Sequence, residues 1–300
     1  MLKNPIFILE LQRGGTNQFL NIIRSHPDTV WPDGELHEIF RPRGRKLREA
    51  GALITKAIRY APLALSVGDV LNPRNHPRDG VLAGWRGRWF DAALATAVTA
   101  NRGAVAEYKA ALVDHGFIDP DKPSDERVVV KLVNGNVGLV NELARLYPSA
   151  RFVGVLRDAT AVCGGRLARG GSLDAAIADY SYVGSVFIKA DEEGLSLKVF
   201  RFEDLLRDPI RVIDEIFQFC QLNARDVHSI CLQDKGRVEN GSGRVTGLTK
   251  SDGFYSLEGV ARHMRQDANK ASSANVTHEQ KSRIEAFCSS TLSRYGYLPS

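Results

Sequence analysis

The sequence predicts an α/β fold, in which a parallel sheet forms the middle of three layers with helices on both faces. Three observations carry this. Short apolar runs of strand length recur at Ile6–Leu9, 127–133, 151–158 and 195–204. Each is followed by a segment with helical spacing of its apolar residues. The first run passes into its helix through a tight Gly-rich turn, Arg13-Gly14-Gly15-Thr16. Strands alternating with helices in this way require right-handed crossovers between parallel neighbours.

The elements follow in order. Ile6, Phe7, Ile8 and Leu9 form an unbroken apolar run, as in a strand covered on both faces. After the turn, Phe19, Ile22, Ile23 and His26 share one helical face, and Pro27 stops the helix. The second strand is "RVVVKLV", followed by the amphipathic "VGLVNELARLYP". The third is "RFVGVLRD", followed by helical "ATAVCGGRLARG" and a longer helix from about 173 to 193. The fourth is "LSLKVFRFED", and Pro209 opens the helix after it. A last amphipathic helix runs from about 277 to 294, with Thr277 as its cap and Glu279 in its first turn.

Two intervals break the alternation. Residues from about 33 to 125 read as a helical insertion after the first strand-helix unit, with helices around 46–60 and 91–115. Residues from about 234 to 276 are rich in Gly, Ser and Arg, have weak periodicity, and read as ordered loops or a lid. No internal repeat is present, and residues 1–300 are expected to form a single α/β domain.

Bulk properties narrow the function. With 43% hydrophobic and 25% charged residues, the composition is that of a globular domain. A net charge of +5 suits an anionic ligand but is too dilute for a dedicated nucleic-acid binder, and no nucleic-acid partner is expected. Cys163, Cys220, Cys231 and Cys288 are scattered, which predicts reduced packing residues and a cytoplasmic protein, with neither a disulfide frame nor a zinc site. No apolar run is long enough to span a membrane.

A strand, a Gly-rich turn and a helix together aim backbone N–H groups and the positive end of the helix dipole at one spot. Gly14 and Gly15 permit close approach, Thr16 and Asn17 bring side-chain donors, and Arg13 can grip phosphate or sulfate oxygens bidentately. The turn is P-loop-like, but the GxxxxGK[ST] pattern is absent.

Four blocks taken in order resemble the sulfotransferase family that uses 3′-phosphoadenosine 5′-phosphosulfate (PAPS). They are "RGGTN" after the first strand, "YPSARFVGVLRDATAVCGG", "KVFRFEDLLRDPIRVIDEIFQFCQL" and "VTHEQKSRIEAFCSSTLSRYGY". The resemblance implies a P-loop-like sulfotransferase fold and PAPS as donor, with adenosine 3′,5′-bisphosphate as product and no metal. Arg13, Gly14, Gly15, Thr16 and Asn17 fill the family's 5′-phosphosulfate loop, with Arg13 in the place of a Lys. Arg157 matches the arginine that holds the 3′-phosphate. The serine expected eight residues on is Gly165, which leaves a backbone N–H there, helped by neighbouring Arg166. Ala159 replaces a usual Pro, and Glu10 stands where many relatives have Gly. An acid beside a phosphate site requires Arg13 or a Lys as its partner. The "RFED" segment around Glu203 resembles a family segment of structural role.

In-line sulfuryl transfer requires charge stabilisation on the leaving and equatorial oxygens and a base for the acceptor. Glu35 and His37, in "WPDGELHEIF", are the candidate bases, Glu35 by its place in the family and His37 by its ordinary pKa. Lys131, at the C-terminal end of its strand, matches half of a Lys-Thr-Pro motif of carbohydrate-type relatives and is the candidate for the sulfuryl oxygens. Arg41, Arg43, Arg45, Lys46 and Arg48, with Trp85, Arg86, Arg88 and Trp89, suit a carbohydrate or an anionic small-molecule acceptor, or else form a solvated basic face over core tryptophans. The alternatives are a sulfotransferase-like nucleotide-binding protein that has lost turnover and, less well supported, a P-loop phosphotransferase.

Overall fold

The computed structural model describes residues 1–36, 39, 80–114, 125–227, 229–239, 245–264, 267–274 and 276–298. Five parallel strands form the central sheet: β1 (Ile6–Glu10), β2 (Thr29–Val30), β3 (Arg127–Val133), β4 (Arg151–Leu156) and β5 (Leu197–Arg201), in the order β2-β3-β1-β4-β5. Every residue of β1 and β3 is buried, so both faces of the sheet are covered, as their continuous apolar runs require. The predicted fold class stands.

The helices follow the expected alternation. They are α1 (Thr16–Arg24), α4 (Val140–Leu146, after a 3₁₀ segment Asn134–Leu139), α5 (Ala159–Leu167), α6 (Leu173–Glu192), α7 (Phe202–Arg207), α8 (Pro209–Phe219) and α11 (His278–Arg294). Pro209 sits in the first turn of α8, and the Asp208 side chain caps it. Thr277 and Gln280 close a capping box on α11. The "LRD" and "RFED" tails leave their strands early. Asp158 caps α5, and Phe202–Arg207 forms a separate short helix.

Two expectations are corrected. The helix read around 91–115 is a pair, α2 (Trp85–Ala100) and α3 (Arg102–Asp114), which meet at Asn101. There the Asn101 side chain turns to donate to the Trp31 carbonyl at 3.0 Å. The expected helix at 46–60 lies outside the described residues. The region read as loops or a lid opens on an antiparallel ribbon, β6 (Ser229–Glu239) with β7 (Val245–Ser256), continued by α9 (Leu257–His263) and α10 (Ala268–Ser273). Its Gly, Ser and Lys residues carry little strand signal. Backbone pairing between the two strands defines the ribbon, and a single-strand pattern does not reveal it.

No described helix is long and apolar enough to cross a membrane. All four cysteines are buried and none is in a disulfide, and burial pushes the Cys163 and Cys220 thiols up to about 12.

Candidate functional site

The site lies where the C-terminal ends of β1, β3 and β4 meet the turn before α1. Leu11 starts the turn, and the Gly14 N–H donates back to its carbonyl at 2.8 Å. Arg13 and Gly15 both take left-handed backbone, at φ 85° and 99°. A Cβ on Gly15 would overlap the Phe202 ring, so the turn admits only glycine there. Gly15 precedes α1 and no side chain caps that helix. The first N–H groups of a helix have no intrahelical acceptor, and here no capping side chain supplies one. The turn is tied to the segment after β3 by Gln12 N–H, which donates to Asn134 Oδ1 at 2.9 Å.

Sheet register assembles the charged part of the site. Ile8 of β1 lies opposite Lys131 of β3, and Glu10 is two residues further along β1. Alternation puts Ile8 and Glu10 on one face, so Lys131 and Glu10 are diagonal neighbours there. The Lys131 Nζ is 3.2 Å from Glu10 Oε1 and 3.0 Å from Glu35 Oε1, and it donates to Asn17 Oδ1 at 3.2 Å. Lys131 and Glu10 are almost fully buried, whereas the Glu35 side chain is 28% exposed. Burial works against the Lys131 charge, but Glu10 and Glu35 outweigh it and hold its pKa above the ordinary lysine value. The ammonium is therefore a fixed cation at neutral pH. Glu10, which required a basic partner, finds it in Lys131.

A cavity of about 430 Å³ opens beside Lys131 and Glu35. Asn17, Asn21 and Arg24 of α1 line one side of it, and Trp31 lines another. His37 lies outside the described residues, as do Arg41, Arg43, Arg45, Lys46 and Arg48. Trp85 is exposed and has the Arg86 guanidinium 5.9 Å from its ring, while Trp89 is partly buried against the core.

The second candidate cluster gathers at the end of β4. Arg157 donates through Nε to Asn269 Oδ1 (2.7 Å), and through its terminal nitrogens to the carbonyls of Arg13 (3.1 Å) and Ala268 (2.8 Å) and to Ser272 Oγ (2.9 Å). Its guanidinium lies 4.9 Å from the Phe202 ring centre. Burial lowers its pKa, against the fields of Glu203 and Asp158. Glu203 accepts from the Asp158 N–H, from Asn269 Nδ2 and from the Tyr297 hydroxyl, which is the structural role expected of it. Arg166 points to α6, where it pairs with Asp179 at 2.6 Å. Gly165 lies beside Arg13, and a Cβ placed on it would touch only the Arg13 side chain, at 3.9 Å.

Sequence reasoning missed Asn269 and Ser272, because the stretch that holds them reads as loop. It also missed Arg24, although Asn17, Asn21 and Arg24 have the i, i+4, i+7 spacing of a single helix face.

Among the described residues one trio has metal-ligand atoms close together, His26, Asp28 and Asp226, all within 4.8 Å. His26 Nδ1 accepts the Asp28 N–H at 3.1 Å, and Nε2 is 3.1 Å from the Asn223 carbonyl. These two contacts set the tautomer with hydrogen on Nε2 and leave no ring lone pair for a metal.

No curated protein matches the chain. Among solved structures it is similar to the sulfotransferase domain from the curacin biosynthetic pathway, at 13% identity over 96% of this chain and 98% of that one, with a TM-score of 0.47. It is also similar to sulfotransferase STF1 from Mycobacterium tuberculosis H37Rv, at 16% identity over 74% of this chain and 68% of that one, with a TM-score of 0.44. A third is the sulfotransferase domain from the Synechococcus PCC 7002 olefin synthase, at 18% identity over 74% and 75%, with a TM-score of 0.39. The model of the sulfotransferase family matches residues 5–226, which is more than half of the chain and takes in the Gly-rich turn, Glu10, Glu35, Lys131 and Arg157. The chain belongs to the sulfotransferase family.

Proposed function

We propose that the chain acts as one catalytic unit that transfers a sulfuryl group in line from PAPS to a hydroxyl or amine, on a carbohydrate or small-molecule acceptor in the 430 Å³ cavity. The observation that carries it is the fixed Lys131 ammonium, held between Glu10 and Glu35 and joined to Asn17 of the anion-binding turn. The turn fits a phosphosulfate, because its helix end is uncapped. Thr16 and Asn17 would hold the 5′-phosphate, with Arg13 over the bridging oxygen. The donor supplies a sulfur centre and an adenosine 3′,5′-bisphosphate leaving group.

The remaining roles fall to residues of the chain. Glu35 is partly exposed to the cavity and takes the acceptor proton as the new oxygen–sulfur or nitrogen–sulfur bond forms and the sulfur–oxygen bond to the donor breaks. Lys131 stabilises the equatorial oxygens without giving up its proton, and it orients Glu35. Glu10 holds Lys131 from the side away from the cavity. No step requires a metal. Four buried cysteines outside any disulfide suit a reducing compartment such as the cytoplasm.

Calorimetric titration with adenosine 3′,5′-bisphosphate tests the donor site. Arg13→Ala is expected to weaken binding by about 1.5–3 kcal/mol, the value of hydrogen bonds to a charged group. Transfer of label from sulfur-labelled PAPS then tests turnover. No binding to folded wild-type protein would remove PAPS from the reading.

One observation favours a second reading, a nucleotide-binding relative without turnover. Arg157 gives its donors to protein acceptors, three of them on α10. A 3′-phosphate must displace these contacts to reach it. Gly165→Ser tests whether the 3′-phosphate reaches this corner. The position has room for the side chain, and serine is favoured over glycine in a helix by up to about 0.5 kcal/mol. Tighter bisphosphate binding with unchanged or greater thermal stability is the expected result if the nucleotide reaches this corner. Unchanged affinity would place the 3′-phosphate elsewhere.

A further inference from the structure

Arg24 is the last residue of α1 and has an unusual environment for an arginine. Its guanidinium lies over the Trp31 ring, 4.8 Å from the centroid. Its Nε is buried with no hydrogen-bond partner. Burial pushes its pKa down to about 10, with Tyr108 and Asp33 acting in the opposite direction, so it remains a cation at neutral pH. A buried charged donor without an acceptor costs more than a neutral one, and a ligand acceptor offsets that cost. Arg24 lines the same cavity as Lys131 and Glu35.

The helix sets the spacing. Asn17, whose side chain reaches Lys131, and Arg24 are seven residues apart on α1, with Asn21 between them on the same side of the cavity. At 1.5 Å per residue this places Arg24 roughly 10 Å along the cavity from the Lys131 end. Glu35 repels an anion at the reacting end, so a molecule carrying one is oriented with its anion toward Arg24. The planar fork of donors suits a carboxylate or a phosphate, and stacking on Trp31 keeps that fork in place.

Resting on the assignment of this cavity to the acceptor, we propose that Arg24 forms an acceptor-recognition subsite. It takes an oxyanion, carboxylate or phosphate, carried about 10 Å from the group that is sulfated. The acceptor class is then an elongated, anionic hydroxyl or amine compound, and Arg24 determines specificity.

The test uses ω-hydroxyalkanoates of graded chain length, their methyl esters and ω-hydroxyalkyl phosphates, titrated calorimetrically into the full chain. At the matching length the acid or the phosphate is expected to bind at least about tenfold tighter than the ester, as a charge-assisted pair implies. The two anionic arms identify which group the subsite prefers. Arg24→Gln should abolish the preference, and Arg24→Lys should keep part of it. Equal binding of charged and uncharged probes at every length, a preference that survives Arg24→Gln, or no binding of any probe would each overturn the proposal. The acid-ester comparison on wild type decides it even if the variants fold poorly. A parallel titration with adenosine 3′,5′-bisphosphate keeps the donor assignment separate. Donor binding without an anion preference overturns only the subsite, and an anion preference without donor binding overturns only PAPS use.

Discussion

Replacing Lys131 by alanine is expected to lower both turnover and stability, more than any other single change in the site. The substitution leaves Glu10 buried without its cation and releases Glu35 and Asn17. Breaking one partner of a buried pair costs about 3–5 kcal/mol. Loss of a preorganised charge from the transition state costs about 2.7–4 kcal/mol, or about a hundred- to a thousandfold in kcat. Urea denaturation measures the first effect and PAPS turnover the second. Glu10→Gln in the Lys131→Ala background should recover part of the stability and none of the turnover, because it removes the stranded charge without restoring the cation. A stability loss below about 1 kcal/mol would mean that the pair is solvated like a surface ion pair.

The same group sets a pH dependence. The folded-state pKa of Lys131 lies above its unfolded value, so the stabilisation is fully present below the ordinary lysine pKa. It is lost as pH rises through the higher folded value. Wild-type protein is therefore expected to lose stability on the alkaline side, and Lys131→Ala should lack that component.

Gly15→Ala carries the second large effect. A methyl group there meets the Phe202 ring, with Cε2 at 2.6 Å, and the backbone sits at φ 99°. Left-handed backbone costs about 1–2 kcal/mol for a residue with a Cβ, and overpacking costs about 1–3 kcal/mol. The sum, about 2–5 kcal/mol, should appear as a lower denaturation midpoint. Phe202 also supports the Arg157 guanidinium, so its displacement should weaken bisphosphate binding as well. Phe202→Leu in the Gly15→Ala background should return some stability by making room. Gly14→Ala is the control. Its Cβ would lie 3.0 Å from the Leu11 carbonyl at ordinary φ, and its cost should be clearly smaller. Equal costs for the two glycines would remove Phe202 from the explanation.

Much of the fold is legible in the chain because its signals are local. The apolar runs at Ile6–Leu9 and 127–133 mark buried strands, Pro209 marks the start of a helix and Thr277 a cap, and the structure has each in place. The two-residue β2 and the β6–β7 ribbon carry no such signal, since each exists through its pairing with another strand. The Gly-rich turn could be named from residue type and order along the chain, and Glu35 and Lys131 from the resemblance to the family.

What joins those residues is tertiary. Whether Glu10 obstructs an anion site or anchors its lysine depends on the register of β1 against β3, and a shift of one residue would turn Lys131 to the other face. Three of the four acceptors that engage Arg157 come from α10, more than a hundred residues away in the chain. Arg24 becomes informative only when the wall of the cavity is seen. Sequence by itself determined which residues bear charge and which strands are buried, because composition and periodicity are properties of a segment. Tertiary structure decided which charges meet, because a salt bridge depends on distance and burial, and both are set by strand register and packing.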